Sequence, residues 1–256
     1  MRILFTQLKA FFVGLVIFPG VSLVALFFIP FKLQDRIKKT APLWKWISNQ
    51  IIRNGCSAKI DISEDYRSAE FRTTPPFGLY VANHQSYIDI PLIFTAYQVP
   101  PIMKQEVLYI PFVGLMGWIA GAMPVARGNQ GSRKKVFLQT KNRILIDRIG
   151  VQVYPEGTRS KGTRPRSFEE LKKTLLVFAW NEKIPVIPNS LYGTRGVLSA
   201  RGVIRPGRHL GIIIHQEILP ENYPNAEEFA RACWSKVLEG YDQMETKLGP
   251  LNENLS

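Results

Sequence analysis

A histidine and an aspartate five positions apart, His84 and Asp89, stand in the stretch Tyr80-Val81-Ala82-Asn83-His84-Gln85-Ser86-Tyr87-Ile88-Asp89-Ile90-Pro91. An imidazole held by a carboxylate is the arrangement of an oriented general base. On one regular helix, five steps of roughly 100° would leave the two side chains about 140° apart and diverging. The pair therefore requires His84 to stand in a turn before a helix, with Asp89 in the first helical turn leaning back toward it. Pro91 agrees, since proline is tolerated in a first turn whose N–H groups lack helical acceptors. The same residues have a purely structural reading: Ser86 and Asp89 have capping-box spacing, and Asp89 is itself a candidate N-cap. The chain has only three histidines, and His84 alone lies at an apparent strand-to-helix junction with an acid close by.

Seventy residues on, Val151-Gln152-Val153-Tyr154-Pro155-Glu156-Gly157-Thr158-Arg159-Ser160 repeats the pattern of an apolar strand that runs out at a tight loop. The loop offers a carboxylate, a glycine, a hydroxyl and a guanidinium. Arg159 suits bidentate phosphate binding, and Gly157 lets backbone N–H groups approach an anion. An ordinary turn with a surface ion pair fits the loop equally well. Gly121-Ala122-Met123-Pro124-Val125-Ala126-Arg127 places another arginine at a strand end. Nine of the thirteen excess positive charges fall between Arg127 and Lys173. Such a field draws anions toward any crevice it surrounds, although most of these cations belong to a solvated face.

These loops need a scaffold. Strands are expected over Lys59–Ile62, Gly78–Ala82, Pro101–Lys104, Met123–Ala126, Val151–Tyr154, Pro185–Tyr192 and Leu210–Ile214. Helices are expected over Ser86–Tyr97, Ser132–Ile149, Phe168–Trp180 and Ala226–Leu248, with Gly114–Ala120 in an apolar helix or turn. Asn225 and Glu228 form a capping box for the last helix, and Gly249-Pro250 stops it. Strands alternating with helices predict an α/β fold whose central sheet is largely parallel and flanked by helices. In such sheets ligands bind beyond the carboxyl ends of the strands, so both loops can face one crevice.

The N-terminus is different in kind. Ala10 to Phe31 contains no charged residue; as one helix it would be ~33 Å long, about a bilayer core. Pro19-Gly20 sits in its middle, so two shorter halves bent into a one-leaflet hairpin are the alternative. A cleaved signal peptide fits less well. Lys32, Arg36, Lys38, Lys39, Lys45 and Arg53 follow this run, against Arg2 and Lys9 before it, which places the body of the protein on the cytoplasmic face. Residues 33–54 mix these cations with Leu33, Ile37, Trp44, Trp46, Ile47 and Ile51. They read as an amphipathic interfacial helix with tryptophans at headgroup level, or as a plain core-packing helix. The expected division is a membrane-anchoring and interfacial segment over 1–56 and a catalytic domain over 57–256.

With 256 residues the chain is long enough for a full core, and a net charge of +13 calls for an anionic partner: nucleic acid, a phosphorylated substrate or an acidic membrane surface. Nucleic-acid signatures are missing, and the apolar N-terminus favours the membrane. The two cysteines, Cys56 and Cys233, have no metal or disulfide spacing, and a reduced compartment fits them.

Asn83-His84-x4-Asp89, Gly121-x5-Arg127, Pro155-Glu156-Gly157-Thr158-Arg159 and Ile184-Pro185-Val186-Ile187-Pro188 occur in the order and spacing of four blocks. In these the chain resembles the 1-acyl-sn-glycerol-3-phosphate (lysophosphatidic acid) acyltransferase family, by motif over Leu79–Tyr192 and by layout throughout. Lys104-Gln105-Glu106-Val107-Leu108 and the apolar Pro111–Gly117 look like the segment joining the first two blocks. Ala126 departs from the pattern, standing where a polar residue is frequent. The resemblance implies acyl transfer from acyl-CoA or acyl-carrier protein to the 2-hydroxyl of lysophosphatidic acid, giving phosphatidic acid for phospholipid biosynthesis. It implies His84 as general base, Asp89 as its orienter, and Arg127, Gly157, Thr158 and Arg159 around the phosphate. Glu156 would place the glycerol end, and Lys104 would stabilise the oxyanion. No cofactor, metal or acyl-enzyme is implied. The alternatives are a relative using glycerol-3-phosphate or another lysophospholipid, and a non-catalytic module binding anionic membranes.

Overall fold

A computed structural model describes residues 2–64, 77–110, 113–126, 128–160, 162–198 and 202–251. The chain opens with one long helix, α1 (Arg2–Phe28), which runs through Pro19 without a break. The two shorter halves considered as the alternative at Pro19-Gly20 are therefore one continuous helix. The reversal comes at residues 29–32, where Pro30 cannot continue the helix and biases Ile29 away from helical angles. The rings of Phe27, Phe28 and Phe31 cluster there with centroids 5.3 to 5.8 Å apart.

Helix α2 (Leu33–Asn49) follows and ends in a wider turn over Gln50–Gly55. It is amphipathic as expected, but its apolar face belongs to the protein core. Trp44 is 2% exposed and packs on Phe94, with centroids 6.0 Å apart. Of the two tryptophans expected at headgroup level, only Trp46 is exposed, at 53%. Sequence periodicity shows that a helix has an apolar stripe and is silent about what covers it.

The central sheet has the order β1-β7-β6-β2-β5. Its strands are β1 (Lys59–Glu64), β2 (Leu79–Ala82), β5 (Val151–Val153), β6 (Val186–Tyr192) and β7 (His209–Ile214), and all neighbours are parallel except β6 and β7. Two further strands, β3 (Ile102–Lys104) and β4 (Met123–Val125), form a small parallel pair that joins the sheet through a bridge from Pro101 to Gln152. Every residue of β2, β5 and β6 is buried. That is the expected state of parallel strands covered on both faces.

Alternate residues feed two cores. Tyr80, Ala82, Leu191, Leu210 and Ile212 pack with α1, α2 and helix α3 (Asp89–Ala96) through Ile17, Trp44, Ile47, Leu92 and Ile93. Helix α4 (Val113–Ile119) closes the same side through Ile119. Leu79, Val81, Val151, Val153 and Val186 face the opposite core. It is built by α5 (Gln130–Leu145), α6 (Thr174–Asn181) and the long α8 (Ala226–Leu248), whose Phe229, Cys233, Trp234 and Val237 are fully buried. A short turn of helix, α7 (Thr194–Val197), follows β6.

The helix expected over Phe168–Trp180 is split. A tight turn over Phe168–Glu170 ends at Leu171, whose backbone is extended, and α6 begins only at Thr174. Leu171 turns inward to 8% exposure, and Lys172 donates its N–H to Pro155 O at 2.8 Å.

Helix α1 lies along the domain for most of its length. Thr6, Ile17 and Val21 are buried, Gln7 Nε2 donates to Ile204 O at 3.3 Å, and Gly55 packs against Ala10 and Val13. Its remaining surface is apolar and open, including Phe5, Phe11, Phe12, Leu15 and Leu23 at 58% exposure or more.

Candidate active site

Two neighbouring parallel strands, β2 and β5, end side by side, and the chain leaves them in opposite directions. From β2 it passes into α3 on one face of the sheet, and from β5 it proceeds to α6 on the other. The diverging exits make this a topological switch point, the place where open α/β sheets bind their ligands. His84 follows β2, and the loop from Pro155 to Ser160 follows β5.

In the first loop His84 stands before the helix and Asp89 is the first residue of α3, with Ile88 at the N-cap. His84 Nδ1 lies 2.6 Å from Asp89 Oδ2. The same oxygen accepts the backbone N–H groups of Gln85 at 2.7 Å and Ser86 at 2.9 Å. Three contacts on one oxygen of a fully buried carboxylate fix its rotamer and hence the imidazole. The capping-box reading is half realised: the carboxylate reaches back to Ser86 N–H, while Ser86 Oγ accepts from Ile88 N–H at 3.3 Å. Ionised Asp89 can only accept, so Nδ1 carries the proton and Nε2 is the ring's acceptor. The His84 side chain is 20% exposed, Asp89 wholly buried.

The second loop clasps the first. His84 N–H donates to Glu156 Oε1 at 2.8 Å, and Ser160 N–H donates to His84 O at 2.7 Å. Arg195 Nη1 in turn donates to Ser160 O at 2.7 Å. Glu156 is 1% exposed, and Arg166 Nε lies 3.8 Å from its second oxygen. Burial raises the Glu156 carboxyl to about 7, with the His84 N–H bond as the main opposing influence. The resemblance implies that Glu156 places the glycerol end of the substrate; its carboxylate is turned inward onto the His84 backbone, where it clamps the two loops together.

Gly157 has φ +67°, a conformation that suits glycine. Thr158 is exposed, and the Arg159 guanidinium lies 4.0 Å above the exposed Tyr87 ring. Lys104 stands at the end of β3, half exposed, and pairs with Glu106 at 3.0 Å. Arg127 lies outside the described residues. The basic stretch is partly neutralised by acids from elsewhere: Lys141 pairs with Glu182, Arg164 with Asp242 and Glu245, and Lys173 with Glu227.

Two contributors had gone unassigned. Tyr154 stacks on the imidazole, with centroids 4.3 Å apart and planes 24° from parallel. Burial, with the Asp89 charge second, drives its phenol well above the ordinary value. Asn83, fully buried, donates to Leu191 O and accepts from Leu191 N–H, both at 2.8 Å, so its amide mimics a strand neighbour and seats the turn before His84. Tyr154 was legible only as the last aromatic residue of a strand, and Asn83 only as the polar residue beside the histidine.

Residues 66–192 match the Acyltransferase family profile. The 1-acyl-sn-glycerol-3-phosphate acyltransferase of Haemophilus influenzae is 30% identical over 183 residues, covering 70% of this chain and 71% of that protein. The enzyme of that name from Escherichia coli K12 is 28% identical over 145 residues, 56% of either chain. The crystal structure of the 1-acyl-sn-glycerophosphate (LPA) acyltransferase PlsC from Thermotoga maritima superposes with a TM-score of 0.75 over 95% of this chain and 96% of that one. At 23% identity that likeness concerns the fold. A carboxylate-bound imidazole at the sheet's switch point, with a relative matched over most of both chains, gives the family: the chain belongs to the 1-acyl-sn-glycerol-3-phosphate acyltransferases and is an acyltransferase enzyme.

Proposed function

We propose that the chain transfers a fatty acyl group from the thioester of acyl-CoA or acyl-carrier protein to the 2-hydroxyl of 1-acyl-sn-glycerol 3-phosphate. The observation that carries the chemistry is the 2.6 Å contact between His84 Nδ1 and Asp89 Oδ2 at the switch point of the sheet. With Nδ1 held, Nε2 takes the proton of the acceptor hydroxyl as its oxygen attacks the thioester carbonyl. Asp89 stabilises the imidazolium that forms, the division of labour of a triad base. The tetrahedral intermediate collapses with loss of thiolate, which takes up that proton. Acyl passes directly from donor to acceptor, and the chain supplies no cofactor to this step. Arg159 and its loop hold the phosphate, and Lys104 is the weaker candidate for the oxyanion because Glu106 already engages it.

The acceptor and product are lipids, and the exposed face of α1 suits a bilayer. Helix α1 is long and apolar enough to cross a membrane. Yet residues 2 to 21 lie against the domain, a run of ~28 Å at 1.5 Å per residue. A helix occupied on one side by a polar-surfaced domain cannot also stand in hydrocarbon all round. We therefore read α1 as lying in one leaflet, parallel to the surface, with residues 1–56 as the attaching segment and the crevice on the cytoplasmic face.

The test is single-turnover transfer by purified protein in lipid vesicles, with thioester donor and lysophosphatidic acid. His84→Ala should abolish the fast phase while leaving the protein folded and bound to vesicles. Wild-type turnover in that variant would end the general-base reading.

A further inference from the structure

Lys172 is tied to the phosphate loop twice. Its backbone N–H donates to Pro155 O at 2.8 Å, which fixes its Cα beside the loop whatever rotamer the side chain takes. Its side chain then crosses the open face of Gly157. A Cβ built on that glycine would come within 2.7 Å of Lys172 Cδ, 2.9 Å of Cε and 3.0 Å of Nζ. The glycine suits its φ of +67°, and the lysine passes over the face that the missing Cβ leaves open. Lys172 is exposed and has no ion-pair partner among the described residues. The next residue shows the contrast: Lys173 lies 4.0 Å over the Phe168 ring and pairs with Glu227 at 3.6 Å. The break in helix at Leu171 is what parts these neighbours and sends one of them to the loop.

An ammonium kept without a carboxylate over the glycine of an anion loop is placed for a ligand's charge. The Cα atoms of Gly157 and Arg159 can be no more than ~7 Å apart along the chain, a span that two long cationic side chains can bridge to one phosphate. We propose that Lys172 is a phosphate-binding residue for the acceptor, acting with Arg159, and that it favours a phosphate monoester over a phosphodiester. This rests on the acyltransferase reading above and adds the charge selectivity of its acceptor site. A monoester carries nearly two negative charges at neutral pH and a diester one. Coulomb attraction scales with that charge, so the logarithm of the effect of removing Lys172 should be about twice as large for the monoester.

The experiment uses the full chain in mixed micelles with two acceptors, 1-acyl-glycerol 3-phosphate and lysophosphatidylglycerol. Acceptor KM is measured for each, or Ki where the diester is not turned over. Lys172→Met, close in shape and uncharged, should raise the monoester value about tenfold and the diester value about threefold, with donor KM unchanged. Lys172→Arg should restore the monoester value to within about threefold of wild type. Urea unfolding of Lys172→Met should match wild type, since an exposed lysine without an ion pair contributes little to folding. Equal effects on the two acceptors, or a fall in kcat with KM unchanged, overturns the proposal. Arg159→Ala separates the two readings. If it weakens monoester binding while Lys172→Met does nothing, the role of Lys172 falls and the phosphate loop stands; if both are silent, the loop falls as well.

Discussion

Replacing Glu156 by glutamine removes one titration and keeps the shape of the clamp. The carboxyl is 1% exposed; one oxygen accepts the His84 N–H at 2.8 Å, and the other has no hydrogen-bond partner among the described residues. Burial carries it from 4.5 to about 7. In the unfolded chain it releases its proton near 4.5, in the folded protein near 7, so between these values the folded state holds the extra proton. Stability from this group is therefore complete below about 4.5 and is lost as the pH rises through about 7. The whole loss is about 3 kcal/mol, of which roughly 2.5 kcal/mol falls between pH 5 and pH 8. Glutamine keeps an oxygen to accept from His84 N–H and does not titrate. Urea unfolding followed by tryptophan fluorescence, run on both proteins from pH 5 to 8, isolates the term, because groups distant from residue 156 cancel in the difference. Glu156→Gln should match wild type near pH 5 and exceed it by about 2–3 kcal/mol at pH 8. A difference between the two proteins that does not change with pH would refute the buried-carboxyl argument. Turnover of Glu156→Gln within a few-fold of wild type is expected, because the buried group clamps the backbone of His84 rather than its ring.

Asp89→Asn should lower kcat by roughly 10³–10⁴, since the amide no longer enforces the Nδ1–H tautomer, with acceptor KM little changed; a loss under tenfold in steady-state turnover contradicts that role. Asn83→Ala strands the N–H and C=O of Leu191 in the core and should cost about 2–4 kcal/mol in urea unfolding, with kcat falling as the His84 turn loosens. The two tryptophans of α2 should separate cleanly. Trp44→Ala should cost about 3–5 kcal/mol of stability, whereas Trp46→Ala should stay within about 0.5 kcal/mol and instead weaken vesicle sedimentation. Similar losses of stability in both variants would place the bilayer-facing side of α2 elsewhere.

What the sequence determined by itself is what short-range rules govern. The five-residue spacing of His84 and Asp89 allows their contact only across a turn-to-helix junction, and that junction is where they meet. The bounds of α8 follow from Asn225, whose side chain accepts Glu228 N–H, and from Gly249 at its end. The strands of the sheet are within a residue or two of the apolar runs that announce them, because a β-strand buried on both faces has few other places to go.

Everything that depends on who sits beside whom was settled by tertiary packing. No local pattern says that β2 and β5 are neighbours, and that adjacency alone brings Glu156 under the His84 N–H. The apolar stripe of α2 reads the same whether lipid or protein covers it; the packing of Trp44 on Phe94 decides for protein. The break at Leu171 opposes a sound helical pattern, and a hydrogen bond to Pro155, sixteen residues before it, accompanies that break. Charge behaves likewise: the basic stretch looks uniform along the chain, but Asp242, Glu245 and Glu227, far away in sequence, claim some of its cations and leave Lys172 over the loop. Periodicity and capping act over a few residues, whereas strand order, burial and ion pairing act between segments that only the folded chain brings together.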